Sequence, residues 1–352
     1  MTPRPATPDD GAARRPRGSA SGGRTIRGGR PGDSARGAAR PGAGGGLLGQ
    51  VPPSALVAAG IVSVQVGAGV AGRLFTEVPA AGVTGLRLWT SAMMMAAIGG
   101  AGLARTLRAV FRQRRWQDAA VAVAFGVTLG IMNFSIYQSF ARIPLGIAVT
   151  IEFLGPLAVA VATSRRLIDV LWVGLAGLGV ALLARGGASL ASGAVPGSPG
   201  GTGLAVAGIA FALVAAAAWA AYILLSAATG RRLSGSSGLA IAMIIAALVV
   251  IPPAVAAGHA GLLRPGVLAT GAAIGLLSSV IPYRFELEAL RRIPPGVFGI
   301  WMSLEPAVAA VVGLVLLSES LAAREWAAVC LVTVASAGAA RGAAGASQAP
   351  QA

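Results

Sequence analysis

The chain has 352 residues, 55% hydrophobic and only 11% charged, with a mean hydropathy of +0.75, whereas roughly a quarter of the positions in a soluble domain are charged; the composition is that of a membrane protein. One His (His259) and one Cys (Cys330) argue against His/Cys metal clusters, disulfide frameworks and His-based catalytic triads. The net charge of +16 rests wholly on Arg, because Lys is absent and nine of the Arg lie in the first forty residues, so charge is informative by position rather than as a total.

Residues 1–50 combine those nine Arg with three Asp, many Gly and Pro and almost no large apolar side chains, a composition unable to bury enough surface to fold. They are expected to be a disordered tail, and no apolar run before Leu47 reads as a cleaved export signal. Ten apolar stretches follow, at 54–72, 81–103, 118–140, 144–163, 168–185, 203–226, 238–257, 266–290, 295–317 and 324–340. Each, at roughly 20 residues, is long enough at ~1.5 Å per residue to cross a ~30 Å hydrocarbon core. Their apolar runs lack the alternation of barrel strands, so the expected class is all-α, a polytopic protein of ten transmembrane helices. Placing the tail in the cytoplasm puts Arg105, Arg108, Arg112, Arg114, Arg115, the pairs Arg165/Arg166, Arg231/Arg232 and Arg291/Arg292, and Arg341 on that side. Arg73, Arg142, Arg185, Arg264 and Arg324 fall outside. The excess persists without the tail and predicts both termini in the cytoplasm.

An internal repeat is visible at an offset of 150. Arg142-Ile143-Pro144-Leu145-Gly146 returns as Arg292-Ile293-Pro294-Pro295-Gly296, and Pro156 maps onto Pro306, each with an acid shortly before it, Glu152 and Glu305. Gly126/Gly130 and Gly271/Gly275 have the small-residue spacing that lets helices approach closely. Five spans per copy is an odd number, so the second copy must be inverted, and inverted repeats are a transporter architecture with the substrate site near the midplane. The expected segments are a tail at 1–50, a first five-helix repeat at 51–185, a connecting loop at 186–202, a second repeat at 203–340 and a short cytoplasmic tail at 341–352.

Charge inside a span costs roughly 2.5–3.5 kcal/mol on insertion scales, which makes the few such residues the candidate site. Glu152 lies ~12 Å into its span and Glu305 is comparably placed. Pro156 and Pro306 lack the N–H that would bond the carbonyls of Glu152 and Met302, leaving acceptors beside each acid. The pair is expected to bind a proton or a substrate ammonium, with Glu152 the coupling residue; the competing account is helix-to-helix hydrogen bonding by protonated carboxyls. Arg87, ~9 Å deep, suits a substrate carboxylate held bidentately with Asn133 and Gln65 as orienting donors; the competing account pairs it with Glu77. Tyr137, Trp219, Tyr222, Tyr283 and Trp301 are candidates for cavity or gate walls, all but Trp301 counted with the substrate site. Arg284, Glu286 and Glu288 crowd the cytoplasmic end of the eighth span, where Arg284 and Glu288, four apart, are expected to form a local surface pair; Cys330 is expected to be packing.

With these residues in view the chain resembles the EamA-type permeases of the drug/metabolite transporter superfamily, in their threonine and homoserine exporter branch, over roughly residues 54–340. The most specific stretch is Arg142–Leu157, RIPLGIAVTIEFLGPL, supported by Gly85-Leu86-Arg87-Leu88, Met132-Asn133-Phe134, Trp219–Leu224, Ile281-Pro282-Tyr283 and Ser303-Leu304-Glu305-Pro306-Ala307. The resemblance implies two inverted five-helix halves in a bacterial inner membrane and export of amino acids or related metabolites. The implied partners are a small-molecule substrate, membrane lipid and protons as coupling ion; no nucleic-acid partner is expected, and oligomeric state is left open. No cofactor is expected, since without Lys there is no phosphate-binding loop ending in Gly-Lys-Ser/Thr. The alternatives are drug or other metabolite efflux and, more remotely, a non-transporting membrane scaffold; an intramembrane enzyme lacks the Asp-rich or His-Glu-x-x-His motifs it needs.

Overall fold

The computed structural model describes residues 47–162, 168–184, 202–233 and 237–346. The expected tail up to residue 46, the Arg165/Arg166 loop, the connecting loop through residue 201 and the last six residues lie outside the described residues. Every element is helical, with no strand among the described residues. After a 3₁₀ turn at Leu47–Gln50 come α1 (Pro53–Leu74), α2 (Ala80–Arg112), α3 (Trp116–Phe140), α4 (Leu145–Glu152), α5 (Leu154–Ala162) and α6 (Ile168–Ala184). Then follow α7 (Thr202–Arg232), α8 (Ser237–Gly258), α9 (Pro265–Gly275), a π-helical segment at Leu276–Val280, α10 (Ile281–Leu290), α11 (Pro295–Met302), α12 (Glu305–Leu317) and α13 (Ala323–Ala346).

Seven segments are long and apolar enough to cross a membrane: Pro53–Leu74, Trp116–Phe140, Leu145–Ala162, Ala205–Arg232, Ser237–Ala257, Pro265–Leu290 and Val297–Leu317. The other three expected spans form helices that fall short for visible reasons. α2 carries Arg87 in its apolar stretch, α6 has only 17 residues, and α13 opens on Arg324 and Glu325. Helix ends also differ from expectation, since α2 runs on to Arg112, leaving only residues 113–115 before α3, and α13 reaches Ala346.

The two mid-span prolines act as expected. α4 stops at Glu152 and α5 begins at Leu154, while α11 stops at Met302 and α12 begins at Glu305. Each break falls three residues before its Pro, where the carbonyl one turn back has no helical N–H to accept. The chain turns instead through Phe153, whose N–H bonds the Val149 carbonyl at 3.0 Å, and Ser303, whose N–H bonds that of Gly299 at 3.1 Å. A third break, at Gly100 in α2 with φ 42°, uses a backbone region that glycine enters without steric cost.

The helices pack in matched pairs. α3 lies on α7 while α1 lies on α9 and α10; α3 lies on α8 while α2 lies on α9; α2 meets α8, α4 meets α12 and α6 meets α13. Small residues set the closest crossings, as their spacing predicts. Gly126 and Gly130 face Ile245 and Ala246, and Gly271 and Gly275 face Leu86 and Thr90. Gly155 is tighter still, since a Cβ there would fall 2.2 Å from the carbonyl oxygen of Ala216. Large apolar side chains such as Val170, Leu171, Val206, Leu224 and Val315 remain more than half exposed, an exterior suited to lipid rather than water.

Charged residues gather at the ends. Buried Asp118 at the start of α3 is held by Arg115 (2.6 Å) and by Arg232 at the end of α7 (3.1 Å). The expected Arg284–Glu288 pair does not form; Glu288 is bound by Arg291 at 3.4 Å and by Arg292, whose guanidinium also donates to the Gly49 and Val51 carbonyls. A local helix pair thus gives way to one that ties the start of the described chain to the end of α10. Cys330 is exposed rather than packed, because it lies on the outward face of α13, away from the buried Ala328, Val329 and Val332.

A polar cavity among the helices

Two adjoining cavities open among α1 to α5, α7, α8, the π segment and α10 to α13. The larger, of about 780 Å³, is lined by Arg87, Asn133, Trp219, Tyr222, Tyr283 and Glu305 together with apolar residues such as Met95, Met243 and Met302. The smaller, of about 120 Å³, is lined by Gln65, Tyr137 and Glu152 and shares Arg87, Asn133, Trp219, Ser278 and Glu305 with its neighbour. All nine residues singled out from the sequence therefore sit in the walls of one or both. Trp301, the other aromatic considered, packs instead around Leu56, Val57 and Ile61.

Arg87 reaches the cavity because α2 packs against α3, α9 and the π segment that follows α9. Its Nη1 donates to Asn133 Oδ1 at 2.6 Å, its Nη2 to the Ser278 carbonyl at 3.3 Å, and its guanidinium lies 5.1 Å from the centre of the Tyr137 ring. Asn133 is itself oriented by donating to the Leu129 carbonyl at 2.8 Å. The pairing with Glu77 does not occur, since Glu77 faces Arg264 at 3.7 Å. The π segment supplies the other half of this arrangement. A π turn disturbs the regular carbonyl ladder, and neighbouring side chains take up its acceptors: Ser63 Oγ donates to the Leu277 carbonyl at 2.7 Å and Ser91 Oγ to that of Gly275 at 3.3 Å.

Gln65 is not a partner of Arg87. Its Nε2 donates to Glu305 Oε1 at 2.9 Å, because α1 packs against α12. Glu305 and Glu152 are 7% and 8% exposed, and both are in the wall of the smaller cavity. Around them, Gln65 Oε1, Arg87 Nε, Tyr137 Oη, Ser278 Oγ and Glu305 Oε2 are buried with no hydrogen-bond partner in the protein. Buried polar atoms without partners cost roughly 1–3 kcal/mol each, so five around one cavity mark a place shaped for polar contacts from a ligand or water. The chemistry on offer is a guanidinium with a free Nε for a carboxylate and two carboxyls for an ammonium or a proton.

Residues outside the sequence-derived set also line the larger cavity, notably Ser278, Ser279 and Glu286. Ser279, Tyr283 and Glu286 are spaced four and three apart, the signature of one helix face, and that spacing was the available signal. Glu286 was instead grouped with the charged end of its helix.

Away from the cavity, the loop after α12 closes over the start of α4. Glu319 Oε2 accepts the Leu145 N–H at 2.8 Å, with Ser318 held at φ 57° and Glu319 N–H bonded to the Gly313 carbonyl. Burial pushes the Glu319 carboxyl up to about 7 from 4.5, against the opposing pull of the Leu145 N–H. An acid that holds its proton more tightly when buried favours the buried arrangement most fully below about 4.5, and that advantage is lost as pH rises to about 7. The Leu145 amide should therefore be better protected from hydrogen exchange at pH 5 than at pH 7.5, after correction for intrinsic exchange. Glu319→Gln should flatten the difference; equal protection in the unmodified protein would contradict this.

Comparison with known proteins agrees with the geometry. Residues 206–340 match the family model described as EamA-like transporter family. The chain is 39% identical over 281 residues to the threonine/homoserine exporter RhtA of Salmonella typhimurium strain LT2, covering 78% of this chain and 87% of that one. It is 38% identical over 288 residues to the threonine/homoserine exporter RhtA of Escherichia coli K12, covering 81% and 90%. A solved chain described only as "Crystal structure of protein" shares the fold at TM-score 0.53 and 18% identity, over 84% of this chain and 99% of that one. The named relatives are transporters rather than enzymes. With identity at this level across most of both chains, the protein belongs to the EamA-like transporter family as an RhtA-like permease.

Proposed function

We propose that the protein exports small zwitterionic amino acids of the threonine and homoserine type across a bacterial cytoplasmic membrane, by alternating exposure of the cavity between its two halves. The observation that carries this reading is one buried cavity presenting Arg87, with Nε free, and Glu305, with Oε2 free. A zwitterion offers one complement to each. Arg87, supported by Asn133, would hold the carboxylate, and Glu305, steadied by Gln65, would hold the ammonium. Tyr137, Trp219, Tyr222 and Tyr283 would wall the site. Glu152 would exchange a proton that couples export to the proton gradient.

Within this reading the chain crosses the bilayer ten times as two inverted halves, 51–185 and 203–340. Support comes from the breaks at Phe153 and Ser303, 150 residues apart, from the matched helix packing, and from a family model that fits residues 206–340, about one half. The excess of Arg on the side of the 113–115 turn and Arg231/Arg232 favours cytoplasmic termini. Apolar walls around the larger cavity, with Met95, Met132, Met243 and Phe298, favour a second reading as a drug or other metabolite efflux permease.

Counterflow separates the two. Proteoliposomes preloaded with unlabelled threonine should accumulate radiolabelled threonine transiently, and homoserine should compete. Absence of threonine and homoserine counterflow alongside exchange of an apolar drug would replace the first reading with the second.

A further inference from the structure

We propose that Glu286 forms a second cation subsite in the larger cavity, so that the substrate class extends to amino acids carrying one carboxylate and two ammonium groups. The inference rests on the amino-acid reading above and concerns what lies beyond the Arg87–Glu305 end of the site.

The charges lining the two cavities do not balance around a simple zwitterion. Among the described lining residues Arg87 is the only cation, against Glu152, Glu286 and Glu305. A bound zwitterion contributes one charge of each sign and leaves the excess unchanged, and a proton on Glu152 removes one negative charge. Glu286 then remains. It makes no ion pair among the described residues, although Arg284 is two positions away; that spacing places the two on different faces of α10, and Arg284 lines an adjoining hollow of about 270 Å³ with Glu288 and Arg291, which shares Met95 and Tyr283 with the larger cavity but not Glu286.

Glu286 lines the larger cavity together with Glu305, Tyr222 and Tyr283. Glu305 Oε2, on a side chain only 7% exposed, is without a partner in the same walls. An ammonium on a flexible apolar stem would set its carbons against the apolar lining, which includes Met302 and Phe298, and its charge by Glu286 in a wall that also holds Tyr222 and Tyr283. A neutral side chain would leave Glu286 either uncompensated or holding a proton in a mostly apolar cavity, whereas an ammonium pairs with its carboxylate.

The test uses lysine and norleucine, which share chain length and differ in the terminal ammonium. Each is added unlabelled to proteoliposomes of the full chain during threonine counterflow. Lysine should inhibit about tenfold more strongly than norleucine, the scale of one charge-assisted hydrogen bond, and radiolabelled lysine should itself be exchanged. In Glu286→Gln the advantage of lysine over norleucine should fall to near parity. Threonine counterflow with lysine no better than norleucine would overturn the proposal even if the variant failed to fold, as would an advantage that survives Glu286→Gln. Absence of threonine counterflow in the unmodified protein would instead remove the amino-acid reading on which it stands.

Discussion

Glu152→Gln should assemble in the membrane at the level of the unmodified protein, lose about tenfold or more of export and lose its response to an imposed pH gradient. Every residue of α4 is buried and Glu152 is its last, beside the break that Pro156 imposes. Gln preserves size and hydrogen-bonding capacity, so packing against Phe153 and its neighbours persists. What Gln lacks is the ability to take up and release a proton. Uptake into inside-out vesicles at matched protein amounts, with and without a pH gradient, reads both effects. Gradient-driven uptake at the unmodified rate would make Glu152 a structural residue and remove proton exchange at this position.

Arg87→Lys should be nearly as damaging although the charge is kept. The guanidinium donates at once to Asn133 Oδ1 and the Ser278 carbonyl, lies over Tyr137 and retains a free Nε. A lysine ammonium is a single compact donor group that cannot span these partners and still meet a carboxylate in a planar fork. Loss of such a charge-assisted contact is worth about 10- to 100-fold, and it should appear chiefly as a raised KM for threonine in proteoliposomes. A KM within twofold of the unmodified value would place the carboxylate elsewhere.

The parts of this molecule that were legible in the sequence are those written in local chemistry. Apolar runs gave helices, Pro156 and Pro306 gave breaks a turn before themselves, and Gly126/Gly130 and Gly271/Gly275 gave close crossings, because each follows from backbone hydrogen bonding or from the space a side chain occupies. Rare polar residues inside apolar runs gave the cavity walls, since each is costly unless it faces protein or water. Pairings were less legible. Gln65 meets Glu305 instead of Arg87, Glu77 meets Arg264, and Glu288 meets Arg291 and Arg292; which of several reachable partners is chosen depends on how helices distant in sequence cross. The π segment at Leu276–Val280 has one local cue, Pro282, which denies the Ser278 carbonyl its helical N–H; the side chains that sustain it, Ser63, Arg87 and Ser91, come from other helices. Glu286 was misread because its sequence neighbours are charged, whereas its spacing from Tyr283 and Ser279 turns it to the cavity.

The central claim, that the cavity lined by Arg87, Asn133 and Glu305 is where substrate binds, is tested most directly by protection of a thiol placed in its wall. Met132 lines both cavities, and Met132→Cys reduces volume rather than crowding the site; the exposed Cys330 would first be replaced by Ala. In the transport-competent variant, threonine at ten times its Kd should slow modification by a small thiol reagent about tenfold, as expected for ~90% occupancy, while a sugar at the same concentration should not. Modification at an unchanged rate under saturating threonine, in protein that still transports it, would contradict the claim.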